Sequence, residues 1–303
     1  MSGVLAGLED GSGVDLRRCE YFVGTSAGSI VAARLAAGLA PRRPAAGSAE
    51  GDTSSLREDS AAAGTGMAQR AAAWAMALGS PLLGPALVLS APSGALARAA
   101  LLRSFDPPTR SLHELRTEIE GLDVGFDGRL RVVAVARDTG RRVVFGRPAS
   151  PIATVGQAVE ASCTVPWLFA PVTIAGREYV DGGAWSPTNL DVAPAGRGSH
   201  VLCLSPTAGL AGTGRWITLA RRTSKTVTSV EAAVLRARGA NVIVVGPDAT
   251  SMAAIGADLM ATQPRARVHL AGYRQGLVQA ARPGRGRPPA RPQPARSLGA
   301  TPG

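Results

Sequence analysis

Apolar and polar positions along this 303-residue chain fall into short blocks whose period changes from block to block. Residues Gly3 to Glu9 read as a short helix, and after a turn the CEYFV run at 19–23 reads as a buried strand ending at Gly24. The alanine- and leucine-rich stretch SAGSIVAARLAAGLA follows at once as a helix that stops before Pro41, which puts Ser26 at the strand-to-helix corner. The alternating RLRVVAVA and RRVVF runs flank Asp138-Thr139-Gly140 and predict a β-hairpin over Leu130 to Phe145. A helix around Val155 to Ala161, a strand pair in PVTIAGREYV, and the apolar strands HVLCLS and NVIVVG beside helical sequence complete an alternation that argues for an α/β sheet.

Between these blocks the pattern is lost. Residues 41–66 are polar, rich in Gly, Ser and Ala, and read as a mobile loop, leading into an apolar, cap-like segment over 67–104. Ala71 to Ala97 carry no charge over a length that could cross a bilayer, but Gly79, Pro81, Gly84, Pro85, Pro92 and Gly94 interrupt them, which favours a cap or an interfacial hairpin over a span. Residues 282–303 are too poor in apolar side chains to fold and read as a disordered basic Pro/Arg-rich tail. No internal repeat is visible, so a single domain over 1–281 is the simplest account.

Charge changes this picture little. The formal +11 comes from 33 basic residues, of which only Lys225 is lysine, and much of the excess lies in the tail and in a helix-like stretch from Arg215 to Arg238. Aromatics make up 4 % and are not interleaved with the arginines, so no nucleic-acid partner is expected; peripheral contact with an anionic membrane is the better reading of the basicity. The odd number of cysteines, Cys19, Cys163 and Cys203, without a CxxC pair, fits reduced thiols in the core of a cytoplasmic protein. The opening residues lack the features of a signal peptide, so the expected location is cytoplasmic, peripheral to the inner face of the membrane.

Two short motifs carry chemistry. GTSAG at 24–28 fits the G-x-S-x-G elbow, in which Gly24 and Gly28 permit a strained turn that pushes Ser26 outward, and the helix beginning there offers the Ala27 N–H to an anion. With Gly at 37 of 303 residues, chance supplies roughly 0.3 such pentapeptides, so the buried strand before it and the helix after it matter more than the pattern. YVDGG at 179–183 ends a strand in Asp181 followed by Gly182 and Gly183, which displays the carboxylate well; in isolation it would be an ordinary tight turn with an Asx hydrogen bond. His200 and His269 follow Asp181 in the order a Ser-Asp-His triad would use, but one begins a strand and the other lies within a helical pattern, so both read as structural; His113 precedes the aspartate on a helix surface.

Through GTSAGS at 24–29, AVEASCTVPWLFAPV at 158–172, YVDGG at 179–183 and a late GADLM at 256–260, the chain resembles the patatin-like phospholipases from about Gly3 to Tyr273. The resemblance implies a three-layer α/β/α fold with a central, mostly parallel sheet. It implies a serine acyl hydrolase working through a Ser-Asp dyad: Ser26 attacks an ester carbonyl, Asp181 accepts its proton, and water hydrolyses the acyl-enzyme, with no cofactor and no metal. Pro166, Trp167 and Phe169 match the family segment that would line an acyl channel, although they read equally as core aromatics and their neighbour. Members of the family also carry, after a first strand, a glycine-rich loop that holds the oxyanion. MSGVLAGLE looks like the helix after that loop, so an upstream extension bearing both is expected. Ala27 alone supplies one donor, and losing an oxyanion donor costs about 3–4 kcal/mol of barrier. That deficit keeps open an alternative, a non-catalytic lipid-binding or regulatory member of the family.

Overall fold

The computed structural model describes residues 1–45, 94–104, 106–206, 215–255 and 265–282. The expected loop beyond Ala45, the cap-like segment up to Ser93, the GADLM run and the tail from Pro283 lie outside the described residues.

In chain order the elements are α1 (Ser2–Ser12), β1 (Phe22–Thr25), α2 (Ala27–Ala36), α3 (Ala95–Arg103), α4 (His113–Glu120), β2 (Leu130–Ala136), β3 (Arg142–Phe145), α5 (Val155–Cys163), β4 (Val172–Ile174), β5 (Arg177–Asp181), β6 (His200–Leu204), α6 (Arg215–Ala237), β7 (Asn241–Val245), α7 (Ala249–Ile255) and α8 (Arg265–Ala280). Local chemistry explains most of the boundaries. Asp138-Thr139-Gly140 turns β2 into β3, with Gly140 at φ 62°. Thr154 and Gln157 close a capping box on α5, and Ala175-Gly176, both at positive φ, turn β4 into β5. The first strand starts later than the CEYFV pattern suggests, at Phe22. Leu16–Arg18 form a 3₁₀ turn that Cys19 ends, so Cys19 and Tyr21 are exposed and only Cys163 and Cys203 lie in the core.

The α/β class is as expected. The parallel pairings, β1 with β2 and, in a separate two-stranded sheet, β6 with β7, are joined by three antiparallel ones, because the β2–β3 and β4–β5 hairpins each fold back locally and β5 runs against β2. β2 is the centre of the main sheet. Its alternate residues Val132, Ala134 and Ala136 join α2, α4 and α5 in one core, through side chains such as Ile30, Ile119 and Val159. Val133 and Val135 face the other way, onto Val144 and Val192 and onto Leu102 of α3, Val180 and Ala184. Helix, sheet and helix therefore form three layers. The β6–β7 pair carries α6 over Leu235 and Val242, and that cluster includes Leu190 of the 3₁₀ segment Leu190–Val192, whose Val192 packs on Val133 and Val144 of the main sheet. α1 packs on α8. Among the described residues no helix is long and apolar enough to cross a membrane.

The pairings around β2 bring two chain segments together. β3 occupies one edge, opposite Val132 to Val135. The other edge is shared end to end by β1, opposite Leu130 to Val133, and β5, opposite Ala134 to Ala136. Because β1 is parallel to β2 and β5 antiparallel, their C-terminal ends converge, with Thr25 beside Val133 and Asp181 beside the next residue, Ala134. Ile119, fully buried between α4 and this sheet, is a direct probe of the layer contact. Ile119→Ala is expected to cost about 2–5 kcal/mol in urea unfolding, against less than about 0.5 kcal/mol for Val278→Ala at an exposed position of α8; equal effects would show that the α4 layer does not support the sheet.

Candidate active site

Ser26 stands between β1 and α2 with φ 52° and ψ −131°, a conformation that side-chain-bearing residues rarely adopt and that an elbow imposes on its nucleophile. Gly24 is needed for this turn. A Cβ there would come within 2.7 Å of the Ser29 backbone nitrogen, so no larger residue fits where the strand meets the helix. Gly28 has open space at its Cβ position and an ordinary φ, so the second glycine of the motif is not sterically required by the described residues. The elbow is tied down from below: the Ser26 N–H donates to Ser162 Oγ at 2.9 Å, and Ser162 Oγ donates to the Val133 carbonyl at 2.7 Å. Ser29 Oγ donates to the Ser26 carbonyl at 2.6 Å. With its backbone groups committed, Ser26 is left half-buried, with its hydroxyl near enough to Asp181 to favour the charged form of that carboxyl.

Asp181 ends β5 and is 4 % exposed. Its N–H donates to the Thr164 carbonyl at 2.8 Å, and its Oδ1 accepts the Gly183 N–H at 2.7 Å as the chain turns into a 3₁₀ segment over Gly182–Ala184. Gly182 is required by close approach, since a Cβ would stand 2.9 Å from the Val133 carbonyl carbon and 3.1 Å from Thr25 Cγ2. Burial pushes the Asp181 carboxyl up from 3.8 to about 6, although the Gly183 N–H and the Ser26 hydroxyl both favour the charged form. A carboxylate titrating near 6 is ionised at neutral pH yet is a stronger base than an exposed aspartate.

Three further residues hold the pair, and the motifs do not point to them. Asn189 is fully buried at φ 48°; its Nδ2 donates to Thr25 Oγ1 at 3.1 Å, to the Gly182 carbonyl at 3.2 Å and to the Ser186 carbonyl at 2.8 Å. It thus links the residue before Ser26 to the residue after Asp181. Its Oδ1 accepts from Arg142 Nη1 at 3.2 Å, and that guanidinium forms a bidentate pair with Asp191, both distances 2.7 Å. Arg98, buried in α3, donates from Nε to the Ala184 carbonyl at 3.0 Å and from Nη1 to the Gly140 carbonyl at 2.7 Å, with its guanidinium 4.5 Å over the Trp185 ring. Ser162 is the third. A lone arginine inside ALARAALL, and an asparagine eight residues after a DGG aspartate, are the available signals, and neither names a partner.

The Ala27 N–H opens α2 and, among the described residues, has no acceptor, which leaves it free for an anion beside Ser26. None of the histidines is brought to the pair. His200 is exposed at the start of β6, His113 begins α4, and the ring Nε2 of His269 is 2.8 Å from the Arg42 carbonyl. Pro166, Trp167 and Phe169 do lie together, lining with Leu102 and Val180 a cavity of about 20 Å³, which holds about one water. Among the described residues no group of three His, Cys, Asp or Glu side chains could hold a metal ion.

Residues 1–194 match the family model described as patatin-like phospholipase, a span that contains Ser26, Asp181 and Asn189. No curated protein matches the chain.

Two outcomes are expected of this geometry. Because the folded Asp181 holds its proton more tightly than the unfolded one, the stability it contributes is fully present below about pH 3.8 and is lost as pH rises through about 6. Asp181→Asn should therefore be more stable than wild type at pH 8, by on the order of 3 kcal/mol, with the difference closing below pH 4; denaturation curves at both pH values check this, and a pH-independent difference contradicts it. Asn189→Ala, which strips partners from four groups, should lose about 2–4 kcal/mol in chemical denaturation, and Asn189→Gly should recover only the left-handed backbone part, about 1 kcal/mol.

Proposed function

We propose that this chain, which belongs to the patatin-like phospholipase family, is a lipid acyl hydrolase in which Ser26 is the nucleophile and Asp181 the general base. The family match supports a lipid acyl ester as substrate. The observation that carries the residue roles is the meeting, at the converging ends of β1 and β5, of a half-buried serine in an elbow conformation and a buried carboxyl raised to about 6.

In this reading Asp181 takes the hydroxyl proton as Ser26 Oγ attacks the ester carbonyl carbon. The carbonyl oxygen becomes an oxyanion beside the Ala27 N–H at the positive end of α2. Collapse breaks the ester C–O bond, the departing alkoxide takes the proton from Asp181, and the acyl group stays on Ser26. Water then attacks the acyl carbon while Asp181 accepts its proton, and the fatty acid leaves as Ser26 regains its hydrogen. Pro166 and Trp167, half-buried beside the strand that ends in Asp181, offer apolar surface to the acyl chain, and Phe169 packs behind them in the core. Residues 1–281 act as one catalytic unit, a reading supported by the packing of α8 on α1. Action at a lipid surface belongs to the same proposal and is supported by the exposed arginines and valines of α6, such as Arg222 and Val230.

The alternative, a member that binds lipid without turnover, separates cleanly in one experiment. Hydrolysis of p-nitrophenyl esters and labelling by a fluorophosphonate should both occur with wild type, and Ser26→Ala should lower turnover by at least about 10³-fold and abolish labelling. The rate should rise about tenfold per pH unit below 6 and level off above it, as Asp181 loses its proton. A folded wild-type protein that neither turns over nor labels would assign the chain to the binding class.

A further inference from the structure

A second recess lies on the other side of the main sheet. Asp181 pairs with Ala134, whose side chain belongs to the face covered by α2, α4 and α5, whereas Arg142 pairs with Val135, which faces α3. On that opposite face a cavity of about 670 Å³ is lined by Arg141, Arg142, Arg147, Ala149, Leu96 and Trp185, among others. The volume is in the range of small-ligand sites.

Its electrostatics are one-sided. Arg142 is matched by Asp191, but Arg141 and Arg147 are exposed and, among the described residues, have no acidic partner. Burial, and after it repulsion from Arg147, holds the Arg131 guanidinium below its ordinary value, and among the described residues the buried Arg131 Nε has no hydrogen-bond partner. The cavity wall also carries a non-glycine residue, Ala149, at φ 64°, and such strain tends to be kept where a loop serves a ligand. Two unneutralised guanidinium groups suit a dianionic tetrahedral group better than a single carboxylate, because each can donate a forked pair of hydrogen bonds to phosphate oxygens. At the rim, Leu96 is 84 % exposed, and the Trp185 ring, held by the Arg98 and Arg142 guanidiniums at 4.5 Å and 5.3 Å, adds further apolar surface.

We propose that this cavity is a second, non-hydrolytic site that binds a phosphate group through Arg141 and Arg147, with Arg142 as its fixed wall. The group is either the headgroup of a lipid or a free phosphate. Since the site is on the far face from Asp181, it works in a protein whose serine has been removed, and it stands whether or not the dyad reading does.

The test uses the full chain carrying Ser26→Ala, so that no lipid is hydrolysed. One arm measures the thermal-unfolding shift caused by inorganic phosphate against chloride at matched ionic strength; the other measures co-sedimentation with phosphatidylcholine vesicles with and without phosphatidic acid. Each is repeated with Arg141→Gln/Arg147→Gln and with a control of equal charge change, Arg267→Gln/Arg274→Gln, at exposed positions of α8. The expected result is binding in at least one arm that weakens roughly tenfold in the first pair and stays near the parent's in the second. Response to inorganic phosphate identifies a free-anion site, and response to phosphatidic acid alone identifies a headgroup site. Absence of binding in both arms, or equal loss in the control pair, overturns the proposal. Should the double variant fail to unfold cooperatively, Arg147→Gln alone is read by the same criteria.

Discussion

β1 and β5 share a single edge of β2, and the rest of the site follows from that constraint. Two strands entering the same edge from opposite ends must stop where they meet, and they stop opposite consecutive β2 residues, Val133 and Ala134. The backbone hydrogen bonds of the sheet therefore set the separation of Ser26 and Asp181 before any side chain is chosen. What remains is to keep each terminus from fraying. Ser162 and Ser29 bind the elbow's backbone, the Thr164 carbonyl binds the aspartate's N–H and the Gly183 N–H its carboxylate, and Asn189 spans the junction. Helix α2 cannot extend β1 in line, so the change of direction falls on one residue, and its strain is visible in the positive φ of Ser26.

The same convergence buries the carboxylate. Asp181 could not end a strand in the middle of a three-layer core without losing most of its water, and the hydrogen bond it accepts from Gly183, with the nearby Ser26 hydroxyl, only partly offsets that loss. The destabilisation and the raised basicity are therefore one effect seen twice: the site is costly to fold in the ionised state because the ionised state is eager for a proton. Burial of Leu130, Val132, Ile119 and their neighbours supplies stability elsewhere that lets the strained and desolvated junction persist.

Which parts of this were legible in the sequence follows from how local their causes are. The hairpin over Leu130–Phe145, the capped helix at Val155 and the elbow at Ser26 are determined by residues within a few positions of one another, and the pattern finds them. β1 starts three residues after the beginning of the CEYFV run because a 3₁₀ turn over Leu16–Arg18, capped by Asp15, ends only at Cys19 and leaves that residue on the surface. Asn189, Arg98 and Ser162 act across 164, 86 and 136 residues of chain, respectively. No periodicity encodes such partners; only the fold brings them into register. The meeting of β1 and β5 was likewise hidden, since each motif announces a turn and neither states which strand edge it occupies.

A last consequence concerns charge. In a chain with 33 basic residues, an arginine beside Asp181 would be the easy way to stabilise its anion, and it would also weaken it as a base by pulling its titration below that of a free aspartate. The causes of the Asp181 shift are burial first and then, in the opposite direction, the Gly183 N–H and the Ser26 hydroxyl, with no arginine among them. The nearby arginines are spent on other oxygens: Arg98 on the carbonyls of Ala184 and Gly140, Arg142 on Asp191 and Asn189, both supporting the turn that carries the aspartate without touching its carboxylate. The sheet thus separates these two guanidiniums from the Asp181 carboxyl. Arg98 and Arg142 can build this scaffold because neither guanidinium touches the Asp181 carboxyl, and a substitution that brought one into contact with it would stabilise its ionised form and lower its basicity.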